Sequence, residues 1–166
     1  MDREPVERPG WGGSYTYAIS EERIGMRWVP RNRDQRHTFY VDATYAPAPH
    51  WQLSASWQLH TGWPVTDVNY FPVTLNNGSH SYFVSYGPTN AQRTPVYHRL
   101  DLRATRTFRL KRGTLRIFAD IFNAYNQPNF DGYDYEISVT QNQLTVKKTP
   151  RTLFNIIPSL GLSWEF

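Results

Sequence analysis

Read in steps of two from the carboxy end, Phe166, Trp164, Leu162, Leu160, Pro158, Ile156 and Phe154 are all apolar. Between them stand Glu165, Ser163, Gly161, Ser159 and Asn155, small or polar, with Ile157 the one apolar intruder. A period of two sends alternate side chains to opposite faces, so 153–166 predicts a strand with one greasy face and one wet face. The pattern persists for the ~9–11 residues a tilted strand needs to cross a bilayer, and it stops on an aromatic residue. This end of the chain therefore reads as a strand meeting a membrane interface.

The same alternation predicts five further strands. In 11–20, Tyr15, Tyr17 and Ile19 alternate with Ser14, Thr16 and Ala18; in 36–46, His37, Phe39, Val41, Ala43 and Tyr45 oppose Thr38, Tyr40, Asp42 and Thr44. The clearest case after the last is 51–63, with Trp51, Leu53, Ala55, Trp57 and Leu59 against Gln52, Ser54, Ser56, Gln58 and His60. In 95–110, His98, Leu100, Leu102, Ala104, Phe108 and Leu110 face away from Arg99, Asp101, Arg103, Thr105, Thr107 and Arg109, and Arg106 interrupts the apolar side. In 114–125, Leu115, Ile117, Ala119 and Ile121 oppose Arg116, Asp120 and two aromatics, Phe118 and Phe122.

The connections alternate in length. Ala46-Pro47-Ala48-Pro49-His50 predicts a tight turn, because proline cannot donate to a strand ladder, and Lys111-Arg112-Gly113 predicts a hairpin turn. The segments 21–35, 65–94 and 126–152 are long. The first is charged and reads as a loop in water. The second holds the turn formers Asn76-Asn77-Gly78 and Gly87-Pro88 together with Tyr70, Phe71, Tyr82, Phe83 and Tyr86, which predicts a folded loop. Within the third, Tyr133 to Val139 and Leu144 to Lys148 around Gln141-Asn142-Gln143 read as a hairpin of its own. Long, short, long, short, long is the layout of antiparallel up-and-down strands in an outer-membrane barrel, with tight turns at one end and long loops at the other. The predicted fold class is thus all-β, an antiparallel meander of about six long strands forming the carboxy-terminal part of a transmembrane barrel.

Composition narrows this without overturning it. The 166 residues are 39% hydrophobic but 16% aromatic, a balance that suits belts of Trp, Tyr and Phe better than a thick aliphatic core. No run approaches 18 apolar residues, which excludes a membrane helix. A mean hydropathy of -0.63 leaves a barrel open, since barrel strands keep every second residue polar. Cysteine is absent, so neither disulfides nor thiolate metal sites enter. The net charge of +4 is scattered arginine with no basic block, so no nucleic-acid partner is expected. Met1 to Pro9 carries no apolar signal-peptide core, so the chain reads either as cytoplasmic or as the end of a longer protein, with 1–10 a disordered or truncated start.

Candidate chemistry is sparse. The five histidines (His37, His50, His60, His80, His98) do not fall in ligand spacings with a nearby carboxylate, so hydrogen bonding is their expected role and no metal is implied. Asn77-Gly78-Ser79 matches a glycosylation sequon but reads as a turn. No nucleophile, base and orienting group converge, and no glycine-rich phosphate cradle exists, so no enzyme and no cofactor are expected. Asp42, Arg99, Asp101, Arg103, Arg116 and Asp120 share the wet face and are expected to form a charge ladder that steadies the wall; direct substrate contact is the sharper alternative. Trp11, Trp51, Trp63, Tyr45, Tyr97 and Trp164 lie at strand ends as interface belts, with Trp63 bordering the long loop as a candidate for touching cargo.

Five segments taken together carry a family resemblance: D-Q-R-H-T-F (Asp34–Phe39), H-T-G-W-P-V-T (His60–Thr66), R-T-P-V-Y-H-R-L-D-L-R (Arg93–Arg103), F-A-D-I-F-N-A-Y-N-Q-P-N (Phe118–Asn129) and P-S-L-G-L-S-W-E-F (Pro158–Phe166). In this order they resemble the end of a TonB-dependent outer-membrane receptor, over nearly the whole chain from Trp11 onward. The resemblance implies a barrel, usually of twenty-two strands, with an amino-terminal plug. It implies import of a scarce nutrient of the siderophore, cobalamin or oligosaccharide class, driven through TonB. It also implies outer-membrane lipid as a partner, and the barrel-assembly machinery reading the last strand, where Trp164 and Phe166 are the candidate signal. Six strands without a plug predict a fragment with open edges, stable only when further strands or a lipid-like environment complete it. Two alternatives stay open: a soluble all-β carbohydrate-binding module using exposed aromatics, and a complete small barrel in which the hairpin of 126–152 supplies two more strands.

Overall fold

The computed structural model describes residues 9–140 and 143–166; the start expected over 1–10 lies mostly outside the described residues, as do Gln141 and Asn142. In chain order the strands are β1 (Gly10–Tyr17), β2 (Glu21–Ile24), β3 (Arg27–Pro30), β4 (His37–Tyr45), β5 (Trp51–His60), β6 (Pro64–Val65) and β7 (Val68–Thr74). They continue as β8 (His80–Tyr86), β9 (Gln92–Arg93), β10 (Tyr97–Leu110), β11 (Gly113–Phe122), β12 (Phe130–Thr140), β13 (Gln143–Thr152) and β14 (Ile157–Glu165). The fold is all-β and antiparallel.

Six of these strands form one wall in the order β1-β4-β5-β10-β11-β14. Their register keeps the two faces distinct from edge to edge. Trp11 pairs with Ala43, Ala43 with Ala55, Ala55 with Leu102, Leu102 with Ile121 and Ile121 with Pro158. One row over, Thr44, Ser54, Arg103, Asp120 and Ser159 are likewise linked pair by pair on the wet side. Directly paired residues point to the same face, so a slip of one residue at any ladder would invert a whole strand.

The strands adjoining the long segments are shorter than alternation alone predicts. β1 stops at Tyr17 and β5 at His60, each followed by one last in-register bond, Ala18 N to Arg36 O and Thr61 N to His37 O, while β14 starts at Ile157 because the amide of Ile156 bonds the Asn126 side chain. The long segments are themselves built. In 21–35 the expected plain loop is a hairpin, β2 with β3, turning at Gly25 in a left-handed conformation that glycine adopts freely. In 65–94, β6 pairs with β9 and β7 with β8, the latter turning at Gly78. In 126–152, β12 and β13 pair from Phe130↔Thr152 to Thr140↔Gln143 as a separate two-stranded sheet, so they do not extend the wall. All three hairpin-bearing segments leave one end of the wall; the tight turns, the start of β1 and the end of β14 share the other.

Among the described residues no hydrophobic side chain is buried. The apolar face carries Trp11 at 83% exposure, Leu160 at 79%, Leu162 at 72% and Trp164 at 57%, with no second layer against it. The accessible surface of 12450 Å² compares with ~8500 Å² for an ordinary globular chain of this mass. A single sheet with that excess needs a cover that the described residues do not supply.

Two breaks in the alternation have local causes. Phe118 stands on the wet face because Gly161 lies opposite it: a Cβ added there would sit 2.4 Å from the Phe118 ring, so the glycine makes the ring's berth. Arg106, on the apolar face, lies near the tight-turn end, with its guanidinium 5.0 Å from the Trp51 ring centre and 5.6 Å from that of Phe108. Its stem covers apolar surface while the head reaches toward the rim.

Candidate functional site

The wet face holds the predicted charges as separate pairs rather than one continuous ladder. Arg103 makes a two-pronged bond to Asp120 across β10 and β11, the second prong at 3.0 Å. Arg99 pairs with Asp101 at 2.8 Å along one strand and donates to the Tyr97 hydroxyl at 3.0 Å. Arg116 pairs outside the predicted set, with Glu165 at 2.6 Å. Asp42 has no polar partner among the described residues and lies over Gly12, which leaves it room. Phe118 and Phe122 act as platforms for these cations, with Arg103 at 4.8 Å and Arg99 at 3.9 Å from their ring centres. Asp42, Asp101, Arg103 and Asp120 meet in one concavity of about 540 Å³, together with Tyr40, Ser56 and Ser159; Arg99 and Arg116 lie outside its lining. Exposed cross-strand pairs of this kind contribute ~0.2–1 kcal/mol each, so they steady the wall modestly.

The denser polar chemistry lies where the wall meets the long segments. Asp34 is fully buried and accepts from the Ser20 amide at 2.6 Å, from Arg36 at 2.8 Å and from Arg93. Arg93 also donates to the carbonyls of Asp34 at 2.8 Å and Gly62 at 2.9 Å, and Arg36 reaches Glu21 at 2.6 Å. Burial alone would raise the Asp34 carboxyl; the bonds from Arg36, the Ser20 amide and Arg93 outweigh it and hold it below its ordinary 3.8. The Asp34 bond in turn raises Arg36. This hub joins the segment before β4 to the segment between β5 and β10. Asn90 adds a second tie, donating to the Pro30 carbonyl at 2.7 Å and to Asn32 at 3.0 Å.

Buried asparagines finish the other strand ends. Asn129 brackets His98, accepting from its amide at 3.0 Å and donating to its carbonyl at 2.9 Å. Asn123 donates to the carbonyls of Gln127 and Phe154, and its own amide gives to Asp101 at 2.9 Å. Asp101 therefore serves the wall and the rim at once. Each such bond satisfies backbone at a strand end that the neighbouring strand no longer reaches, such as His98 beyond the end of the β10–β11 ladder.

Trp63 lies at this rim. Its amide donates to Thr94 at 2.9 Å, the Arg33 guanidinium lies 3.9 Å over its ring, and its indole N–H is buried without an acceptor among the described residues. Gly62 beside it is obligatory, since a Cβ would fall 1.7 Å from the Thr94 carbonyl oxygen. At the far end, Trp164 donates to the Arg112 carbonyl at 3.3 Å and packs edge-on to the Phe166 ring at 6.1 Å. The histidines take neighbours within reach: His37 meets the Tyr15 hydroxyl at 2.9 Å and His98 the Tyr125 hydroxyl at 2.8 Å.

No family model, curated protein or solved structure matches the chain. The rim residues Asp34, Arg36, Asn90, Arg93, Asn123 and Asn129 do not follow from alternation, because their partners lie up to 60 positions away in the chain. One signal did mark part of them. Asp34, Arg36, Arg93, Asn123 and Asn129 all fall inside the segments that carry the family resemblance.

Proposed function

We propose that this chain is the carboxy-terminal wall of a TonB-dependent receptor barrel in a bacterial outer membrane, working with further strands and a plug outside this sequence. Lipid covers its apolar face, and its three hairpin-bearing segments stand at the outer surface. The single observation that carries the reading is the exposed apolar face: six antiparallel strands in unbroken register present Trp11, Leu160, Leu162 and Trp164 outward, with no layer of the described residues against them. In water such a face would drive aggregation; in hydrocarbon it is at rest, and the ladder satisfies the backbone except at the edge strands β1 and β14. The separation of tight turns from built segments supports the same orientation. Within the receptor, import of a scarce nutrient depends on TonB engaging the plug, and the last strand, with Trp164 and Phe166, is the part the barrel-assembly machinery would read.

The test is partition. The full chain, refolded with and without detergent, is expected to give a strand spectrum and a discrete species in micelles only. Recovery as a folded monomer in plain buffer would sink the reading and favour a soluble binding module. A closed, heat-resistant barrel or a discrete conducting pore formed by this chain alone would overturn the need for further strands.

A further inference from the structure

Between the base of the β6/β9 pair and the β12–β13 hairpin lies a cavity of about 260 Å³, lined by Thr66, Asp67, Gln92, Tyr133, Tyr135 and Lys148, with Val65 and Arg93 completing it. Lys148 faces Asp67 at 3.5 Å, and both side chains are close to half exposed, so each keeps bonding capacity for a visitor. Its ammonium also lies 4.2 Å from the Tyr133 ring centre and 5.8 Å from that of Tyr135. Tyr135 packs on Tyr70 at 5.5 Å, which packs on Tyr82 at 5.9 Å, so the two segments meet through a run of aromatic rings.

We propose that this cavity binds one ring of an uncharged sugar, as the end or a single unit of an oligosaccharide. Its charges cancel within the protein: Lys148 is matched by Asp67, and Arg93 is committed to Asp34 and to two carbonyls. A bare anion would therefore find no unmatched cation among the described lining residues, of which Asp67 is the only carboxylate. What remains is a donor and an acceptor side by side, Lys148 and Asp67, matched to neighbouring hydroxyls that both accept and donate. Gln92 and Thr66 add both kinds of group, and the tyrosine faces offer apolar surface to sugar C–H groups. The volume falls below the ~300–1,000 Å³ of sites that enclose drug-sized ligands, which suits one ring and not a bulky chelate. The assignment deepens the receptor reading, on which it rests for the outward position of the cavity.

The full chain in detergent micelles is titrated with maltotriose, cellotriose and xylotriose, and in parallel with sialyllactose and inorganic pyrophosphate. Binding of at least one neutral trisaccharide is expected, weakened about tenfold or more in Lys148→Met and in Asp67→Asn, each losing one bond to a bound hydroxyl. Tyr135→Phe, which keeps the ring, guards against loss through misfolding and is expected to weaken binding less than either. Lys147→Met is expected to leave affinity unchanged, since Lys147 pairs with Glu136 at 3.3 Å on the opposite face of the hairpin. A strand spectrum with no saccharide bound, a preference for pyrophosphate, or equal losses in Lys147→Met and Lys148→Met overturns the site. Detergent dependence is read separately: sugar binding by a chain folded in plain buffer would retain the site and discard the membrane wall.

Discussion

Replacing Asp34 with asparagine removes one charge from the centre of the rim and changes little in volume. The carboxylate satisfies three donors, the Ser20 amide and the guanidiniums of Arg36 and Arg93. An asparagine side chain keeps one acceptor for the Ser20 amide but turns N–H groups toward the two arginines. Hydrogen bonds to charged groups contribute ~1.5–3 kcal/mol each, and a buried unmatched donor costs as much again. Here Arg36 and Arg93 are 27% and 32% exposed and recover water, so the lower end applies and the expected loss is about 3 kcal/mol for the pair. That corresponds to roughly a hundredfold more frequent opening of the rim, because local openings are governed by local stability. Amide hydrogen exchange in micelles reads this directly. The amides of Arg31, Trp63 and Thr94, bonded within the rim, should lose protection about a hundredfold, while those in the β10–β11 ladder keep theirs. Unchanged rim protection would refute the reasoning, and so would an equal loss across the wall, which would make Asp34 a global and not a local tie.

The same hub sets a pH response. Because the folded Asp34 carboxyl titrates below its ordinary 3.8, its contribution is complete above that value and is lost as pH falls through the folded value; rim protection followed from pH 6 downward should collapse before that of the wall. Gly161→Ala drives a Cβ against the Phe118 ring and should cost ~1–3 kcal/mol in urea unfolding from micelles, with Phe118→Leu in the same chain restoring most of it. Equal effects with and without Phe118→Leu would show that the ring is not the obstacle. Leu160→Arg, at mid-strand on the apolar face, should destabilise the chain by ~2–4 kcal/mol in lipid vesicles, whereas Ser159→Arg on the wet face should cost far less. Similar costs at the two positions would mean that lipid does not cover the Leu160 side.

Much of the wall is legible because each of its strands carries one apolar face and one polar face. Trp51 through His60 spells its two faces letter by letter, and which faces of β4, β5 and β10 align follows from matching them. The hairpin in 126–152 is visible for the same reason, in Tyr133, Tyr135 and Ile137 against Lys148 and Val146. The β2–β3 hairpin is not: Glu21–Ile24 and Arg27–Pro30 lack a uniform face, and only Gly25 hints at the turn. The charge ladder is half legible. Face membership follows from parity, but the partner of Arg116 is Glu165, set by cross-strand register and not by parity. The rim is the least readable part, because a buried Asp34 or Asn123 looks in sequence like any polar loop residue. Its role depends on where distant backbone leaves the ladder, and alternation carries no information about that.

A wall without an interior has an unusual tolerance to shape. Shortening Leu102 or Ile121 in a packed protein would leave a void that neighbours cannot fill; on the proposed reading the two half-exposed side chains meet fluid lipid, which flows into the space. Over evolutionary time the outward positions should therefore drift freely in size and branching while remaining intolerant of charge. The small set of rim asparagines, arginines and Asp34, each tied to backbone or to the buried Asp34 carboxylate, should scarcely drift at all.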